Sequence, residues 1–347
     1  MSNNLREQFH KQLPNSFFLS LEGVGELEHF LSSIDFLNRG ESVLSLSKAG
    51  EGNMNLTLRV ETNKRTFVIK QSRFWVEKYP EIEAPIERAN IESLFYKTVQ
   101  SNKQLLLHTP KILAHNEQSF LLIMDDLGDA NDFISLYKRD NHMAETDIVA
   151  LVQFLSTLHR AFDGCGSKYN IRNRAMRALN HNHIFVFPFE EANGFCLDSI
   201  EEGLQTASLR FKKNKALKSK IKKLGDVYKS DGDTLLQGDF YPGSWLQTKE
   251  GIKVIDPEFC FFGTPEFDLG VFIAHLMMAQ QPRAAIETIL NNYQCRLNNA
   301  LLAQFVGIEI LRRLIGLAQL PLSLSLEEKI LLMDKAYSMI ENEKVNY

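Results

Sequence analysis

The sequence predicts an α+β chain of two lobes. A small β-rich lobe covers residues 1–124, a polar connector 125–128, and a larger, mainly helical lobe 129–347. Three observations predict this. The 347 residues exceed what one small core accommodates. Strand-like alternation is concentrated in the first third. After Gly128 the apolar residues recur at helical spacing in long runs.

In chain order, "NLTLRVETNKRTFVIKQ" alternates Leu56, Leu58 and Val60 with Thr57, Arg59 and Glu61. It turns at Asn63-Lys64 and resumes from Thr66 to Ile69, which predicts a hairpin. "APIERANIESLFYKTV" spaces Ile91, Leu94, Phe95 and Thr98 as one face of a helix. "SFLLIM" is a short apolar run, read as a buried strand that stops at Asp125-Asp126-Leu127-Gly128. Helices are then expected in "ETDIVALVQFLSTLHRAF", "VFIAHLMMA", "FVGIEILRRLIGLA" and "EEKILLMDKAYSMIEN".

The composition narrows the function classes. Lys plus Arg is 39 against 43 for Asp plus Glu, a balance that gives no electrostatic reason to expect a nucleic-acid partner. One run, "LRFKKNKALKSKIKKLG", is strongly basic, but Leu217, Ile221 and Leu224 recur beneath the charges as in a solvated amphipathic helix. The four cysteines form no C-x-x-C pair and read as buried free thiols of a reducing cytosol. No run of apolar residues reaches the ~20 that span a bilayer, and no secretory leader is visible, so a cytoplasmic protein without a membrane partner is expected. Residues 165–230 carry no chemistry that the sequence singles out.

Several residues do suggest chemistry. "IKVIDPEF" reads as a strand ending in Asp256 and Glu258, whose i, i+2 spacing would turn both carboxylates to one side. Two hard oxygen ligands suit Mg²⁺ with phosphate oxygens. Asp239 follows Gly238 in a loop, where a carboxylate can orient a hydroxyl and accept its proton during phosphoryl transfer. Gly50 and Gly52 precede the hairpin, where backbone N–H groups can close on phosphates. Lys70 ends the strand "FVIK", and Glu92 on the next helix would hold it, with Glu87 as competitor. Each signal has a plain structural reading as a turn or strand end. Their order, glycine loop, strand Lys, helix Glu, polar connector, loop Asp and strand acids, is that of protein-kinase-like folds.

From about Gly50 to Gly316 the chain resembles the aminoglycoside phosphotransferase and choline kinase superfamily, and most of all the 5-methylthioribose kinases. "GEGNMN" is similar to the family's glycine loop, which implies nucleotide contacts for Gly50, Gly52, Asn53 and Asn55. "IMDDL" resembles its adenine-binding hinge, with Asp125 and Leu127. "GDFYPGS" resembles its catalytic loop, with Asp239 as base and Ser244 at a metal-binding position. "VIDPEFCFFGTPEFDLG" is similar to its metal segment, and "RRLIGLA" to the helix that brings an arginine pair, Arg312 and Arg313, to the substrate. At adjacent helix positions only one of the two is expected to face the substrate.

The chain also departs from the pattern. Gln237 stands where His is usual, and a glutamine can still brace the loop. Phe240, Tyr241 and Trp245 are expected to reshape the substrate side. Gln319 occupies the approximate place of a family His, and the segment Gln71–Pro85 is shorter. The resemblance implies ATP and Mg²⁺ as cofactors and transfer of the γ-phosphoryl group to a small-molecule hydroxyl, 5-methylthioribose or an analogue, in a homodimer. The alternatives are a kinase of another sugar, amino alcohol or aminoglycoside, and a nucleotide-binding pseudo-enzyme.

Overall fold

The computed structural model describes residues 2–50 and 54–346. In chain order the elements begin α1 (Ser2–Gln12), α2 (Val24–Ser33), β1 (Val43–Lys48), β2 (Leu56–Thr62), β3 (Thr66–Gln71), β4 (Trp75–Val76), β5 (Tyr79–Glu83), α3 (Arg88–Val99), α4 (Lys103–Leu106), β6 (Ile112–Asn116) and β7 (Leu121–Asp125). They continue with β8 (Asn131–Asp132), α5 (Glu145–Ala161), α6 (Gly166–Tyr169), α7 (Arg174–His181), α8 (Leu204–Lys212), α9 (Lys215–Lys229), β9 (Thr234–Leu236), β10 (Trp245–Thr248) and β11 (Gly251–Val254). The last are β12 (Phe261–Gly263), α10 (Glu266–Met278), α11 (Arg283–Asn292), α12 (Asn299–Ile315) and α13 (Leu326–Asn342).

These form two compact units. One comprises Met1–Ser101 and Thr109–Asp129, the other Asn102–His108 and Ala130–Tyr347. The division differs from the sequence expectation in two places. The connector belongs to the first unit, since Asp125 is the last residue of β7. The segment Asn102–His108 belongs to the second, because Lys253 Nζ donates to the Leu107 carbonyl (2.9 Å) and Val254 N to that of His108 (2.7 Å).

In the first unit, antiparallel strands run in the order β1-β2-β3-β7-β6. The predicted hairpin is β2–β3, with Leu58 on Ile69 and Val60 on Phe67. Leu58, Val60, Phe67, Ile69, Leu121 and Ile123 are fully buried on one sheet face under Leu27 and Leu31 of α2. The face of α3 differs from expectation. Leu94 is exposed, and the buried positions include Arg88, Glu92, Phe95, Tyr96 and Val99.

In the second unit α10 is apolar on almost every side and lies buried against α12, which packs in turn on α13. Gly270 permits that approach, since a Cβ there would lie 2.7 Å from that of Phe305. Asn298 caps α12, and Ser325 with Glu328 forms a capping box on α13. The basic run splits into α8 and α9 at Asn214, with Leu217, Ile221 and Leu224 buried beneath α9 as expected. Of the four cysteines only Cys260 is buried, and Cys196 is exposed. Among the described residues no helix is long and apolar enough to cross a membrane.

Candidate functional site

The first unit carries the residues expected at a nucleotide. Lys70 lies near the end of β3, between Thr57 of β2 and Leu122 of β7, so its backbone is fixed from both sides. Its Nζ is 2.7 Å from Glu92 Oε2, and both side chains are buried. Glu92 therefore holds the lysine, and Glu87 is exposed at the N-terminus of α3. Gly50 has φ +85, which glycine tolerates best. Gly52 and Asn53 lie outside the described residues. Asn55 is engaged within the unit through its side-chain oxygen. It is buried, and its Oδ1 accepts from Arg88 Nε (2.7 Å). Arg88 also donates to the carbonyls of Met54, Arg73, Trp75 and Pro85, tying the foot of the glycine loop to α3. At the connector Asp125 Oδ1 accepts from Lys111 N (2.7 Å), and Leu127 is half-buried. Asp126 pairs with Arg59 (2.9 Å), a contact the sequence did not suggest.

The second unit carries the acidic loop. Gln237 N and Gly238 N donate to the two oxygens of the buried Asp268, at 2.7 and 2.9 Å. Asp268 Oδ2 also faces His159 Nε2 (3.3 Å), whose Nδ1 meets the Tyr293 hydroxyl (2.7 Å). A carboxylate only accepts, so His159 donates from Nε2. Gln237 braces the loop from its other side. Its Oε1 accepts from Asp239 N (2.8 Å), and its Nε2 donates to the Ile255 carbonyl (3.0 Å). Gly238 has φ +89, and a Cβ there would collide with the Phe259 carbonyl. Gly238→Ala should therefore destabilise the fold by about 1–3 kcal/mol and displace Asp239. Thermal unfolding and turnover check this together, and wild-type values for both would show that the loop relaxes freely.

Asp239 keeps 22% of its side-chain surface, yet its surroundings are protein. Burial pushes its carboxyl up to about 6, against the pull of Arg313 and Arg312, with Glu309 and Glu258 adding to the rise. Arg313 Nη2 lies 3.4 Å and Arg312 Nη2 3.7 Å from Asp239 Oδ1. Both arginines are buried and both turn to Asp239, so the expectation that only one faces the site is wrong. Glu309, three and four residues earlier on α12, binds the Nε of each and draws them together. Burial works against the Arg313 charge, but Glu309 and then Asp239 outweigh it and hold its pKa above the ordinary value. Tyr241 lies with its ring 5.1 Å from the Arg313 guanidinium. Phe240 and Trp245 do not shape a pocket. Both are fully buried and pack on Phe272 in the core.

The strand expected to carry Asp256 and Glu258 ends at Val254. Asp256 is in the left-handed region (φ +55), and Glu258 sits in the 3₁₀ turn Pro257–Phe259. The two carboxylates therefore do not share the i, i+2 geometry of a strand. They still belong to one electrostatic neighbourhood with the loop: burial raises the Asp239 and Tyr241 pKa values above the ordinary ones, and Glu258 adds to the first and Asp256 to the second. Asn173, in the stretch that carried no expectation, donates to the carbonyls of Glu258 (2.8 Å) and Cys260 (3.0 Å) and fixes this turn. Among the described residues no group of three or more His, Cys, Asp or Glu could hold a metal. A Mg²⁺ ion held by one or two carboxylates, with water and phosphate completing its shell, needs no such group, and the oxygen-only pair fits it. Ser244, expected at the metal, donates its hydroxyl to the Asp239 carbonyl (2.9 Å) and so braces the loop.

A small antiparallel sheet with a buried strand Lys–Glu pair, followed by a helical unit carrying a braced acid loop, defines a kinase-like fold. Solved structures agree. LicA bound to AMP superposes with a TM-score of 0.52 at 14% identity, covering 93% of this chain and 100% of that one. The choline kinase LicA from Streptococcus pneumoniae gives 0.50 at 14% identity, covering 91% and 98%. The chain belongs to the phosphotransferase enzyme family, which it matches over residues 45–301. It is 29% identical over 254 residues to a methylthioribose kinase of Exiguobacterium sibiricum, covering 70% of this chain and 63% of that relative. It is 26% identical over 362 aligned positions to a methylthioribose kinase of Bacillus velezensis, covering 89% of each. A third methylthioribose kinase, from a Geobacillus species, is 26% identical over 68% of this chain and 60% of its own length.

Proposed function

We propose that the chain is an ATP-dependent kinase of a small hydroxyl compound, with a sugar such as 5-methylthioribose as the acceptor. One observation carries this reading: Asp239 sits on a loop braced from two sides, with its carboxylate beside two arginines. Such a carboxylate can align an acceptor hydroxyl and take its proton as phosphoryl transfer proceeds. Arg312 and Arg313 retain guanidinium edges that can donate to sugar oxygens and offset charge arriving with phosphate.

In the first unit, Lys70 would neutralise phosphate charge and Glu92 would keep it extended. The backbone around Asp125 and Leu127 would receive the base. Asp256 and Glu258 would hold Mg²⁺, which when bound supplies electrostatic relief to the phosphate oxygens. Methylthioribose kinases among the relatives support the sugar, and the arginine pair favours a neutral or anionic acceptor over an ammonium compound.

The test is ATP consumption with 5-methylthioribose, other pentoses, choline and an aminoglycoside in parallel. Turnover is expected with 5-methylthioribose and not with the two cations. Turnover with another pentose alone selects a different sugar kinase. Nucleotide binding without turnover on any of them selects the pseudo-enzyme. In the same assay Lys70→Ala should weaken ATP binding by about tenfold or more and leave acceptor affinity nearly unchanged. Equal losses for both ligands would remove Lys70 from the phosphates.

A further inference from the structure

Behind the arginine pair lies a run of buried polar side chains that the roles above do not use. Glu309 on α12 is 1% exposed. Its Oε1 receives His275 Nε2 (2.9 Å) and Arg313 Nε (2.9 Å), and its Oε2 receives Arg312 Nε (2.6 Å). The Tyr137 hydroxyl meets His275 Nδ1 at 2.5 Å, also buried. Burial would raise the carboxyl pKa of Glu309, but Arg312, Arg313 and His275 outweigh it and keep the group ionised. An ionised carboxylate only accepts, so the His275 proton sits on Nε2, and Nδ1 takes the Tyr137 proton. Burial pulls the His275 pKa down to about 4, which agrees with a neutral ring holding that single tautomer.

The consequence lies in how the guanidinium groups are held. Adjacent helix residues point about 100° apart, and two buried cations repel. Residues 309, 312 and 313 are spaced i, i+3 and i+4, so one carboxylate reaches both arginines. It binds each at Nε, and both Nη2 atoms remain turned toward Asp239.

We propose that Glu309 is a positioning residue that aims both arginines at the acceptor site beside Asp239, and that His275 and Tyr137 fix Glu309 in turn. The inference rests on the phosphoryl-transfer reading for its kinetic part only. Glu309→Gln leaves one accepting oxygen where three N–H donors converge, so at least one arginine loses its hold. The expected result is a rise of about tenfold in acceptor KM with ATP KM unchanged within about twofold. Tyr137→Phe removes only the distant hydroxyl and keeps the packing. It should raise acceptor KM by about threefold, again without affecting ATP, and it carries the test if Glu309→Gln does not fold.

A second readout needs no activity. In ¹⁵N-labelled protein, the Nε–H signals of Arg312 and Arg313, assigned by single Arg→Lys variants, should exchange slowly in the wild type. In Glu309→Gln, or in Tyr137→Phe to a lesser degree, they should lose that protection. Retained protection in the variants, or equal rises in both KM values, overturns the proposal. If no acceptor of the panel is phosphorylated while protection collapses as expected, the kinase reading fails and the positioning by Glu309 stands.

Discussion

Asp239→Asn should reduce turnover by about 10²–10⁴-fold and leave nucleotide affinity within about twofold of wild type. Asparagine fills the same space and can keep its amide oxygen toward the Arg312 and Arg313 nitrogens, which both face Oδ1, but that oxygen is not a base. The backbone contacts that place the loop, Gln237 and Gly238 to Asp268 and Asp239 N to Gln237, do not involve the exchanged atom. The loss is thus confined to the chemical step. The carboxyl of the wild type, raised by burial to about 6, adds a pH signature. A base must be deprotonated to work, so kcat/KM for the acceptor should be level above that value and fall about tenfold per pH unit below it. The asparagine variant should show no such limb. Isothermal titration with nucleotide and a pH series of initial rates measure both effects.

Asp268→Ala should lower stability by about 3–5 kcal/mol. The side chain is fully buried and accepts two backbone N–H groups and His159. Alanine leaves those donors without partners in the interior, and each buried unpaired group costs roughly 1–3 kcal/mol. Turnover should fall as well, since Asp239 would no longer be held. Urea unfolding shows the loss as a lower midpoint at unchanged slope. A wild-type midpoint would mean that other contacts hold the loop.

The periodicities of the chain made much of the fold legible. Leu58, Val60, Phe67 and Ile69 alternate because one face of β2–β3 is buried, and α10, α12 and α13 follow from their apolar runs. Where charged residues occupy the interior, the apolar pattern misled. In α3 the buried Arg88 and Glu92 shifted the inner face away from Leu94. The choice of Glu92 over Glu87 nevertheless matched the ion pair, because an acid one turn into the helix can reach the β3 lysine.

In the acid loop, Gly238 beside Asp239 was readable as a turn, while the weight given to Asp239 came from the order of the motifs and the family resemblance, and the bracing by Gln237 from the resemblance alone. Asp268 was given no role, although an Asp in the first turn of an otherwise apolar helix is a visible signal. Glu309 is a similar case. An acid within "FVGIEILRRLIG" marks a buried counter-charge, and it explains why both arginines face the same way. Pro257 could have corrected the metal segment, since a proline cannot donate within a sheet and so marks the end of a paired strand.

The proposed reaction moves the γ-phosphoryl group of ATP onto an acceptor hydroxyl with Asp239 as the base. A ³¹P NMR time course of the wild-type protein with ATP, Mg²⁺ and 5-methylthioribose tests it most directly, run beside Asp239→Asn. A new phosphomonoester signal should grow in step with ADP and be absent from the variant on the same timescale. A phosphomonoester formed by the variant at the wild-type rate, or ADP accompanied only by inorganic phosphate, would contradict it.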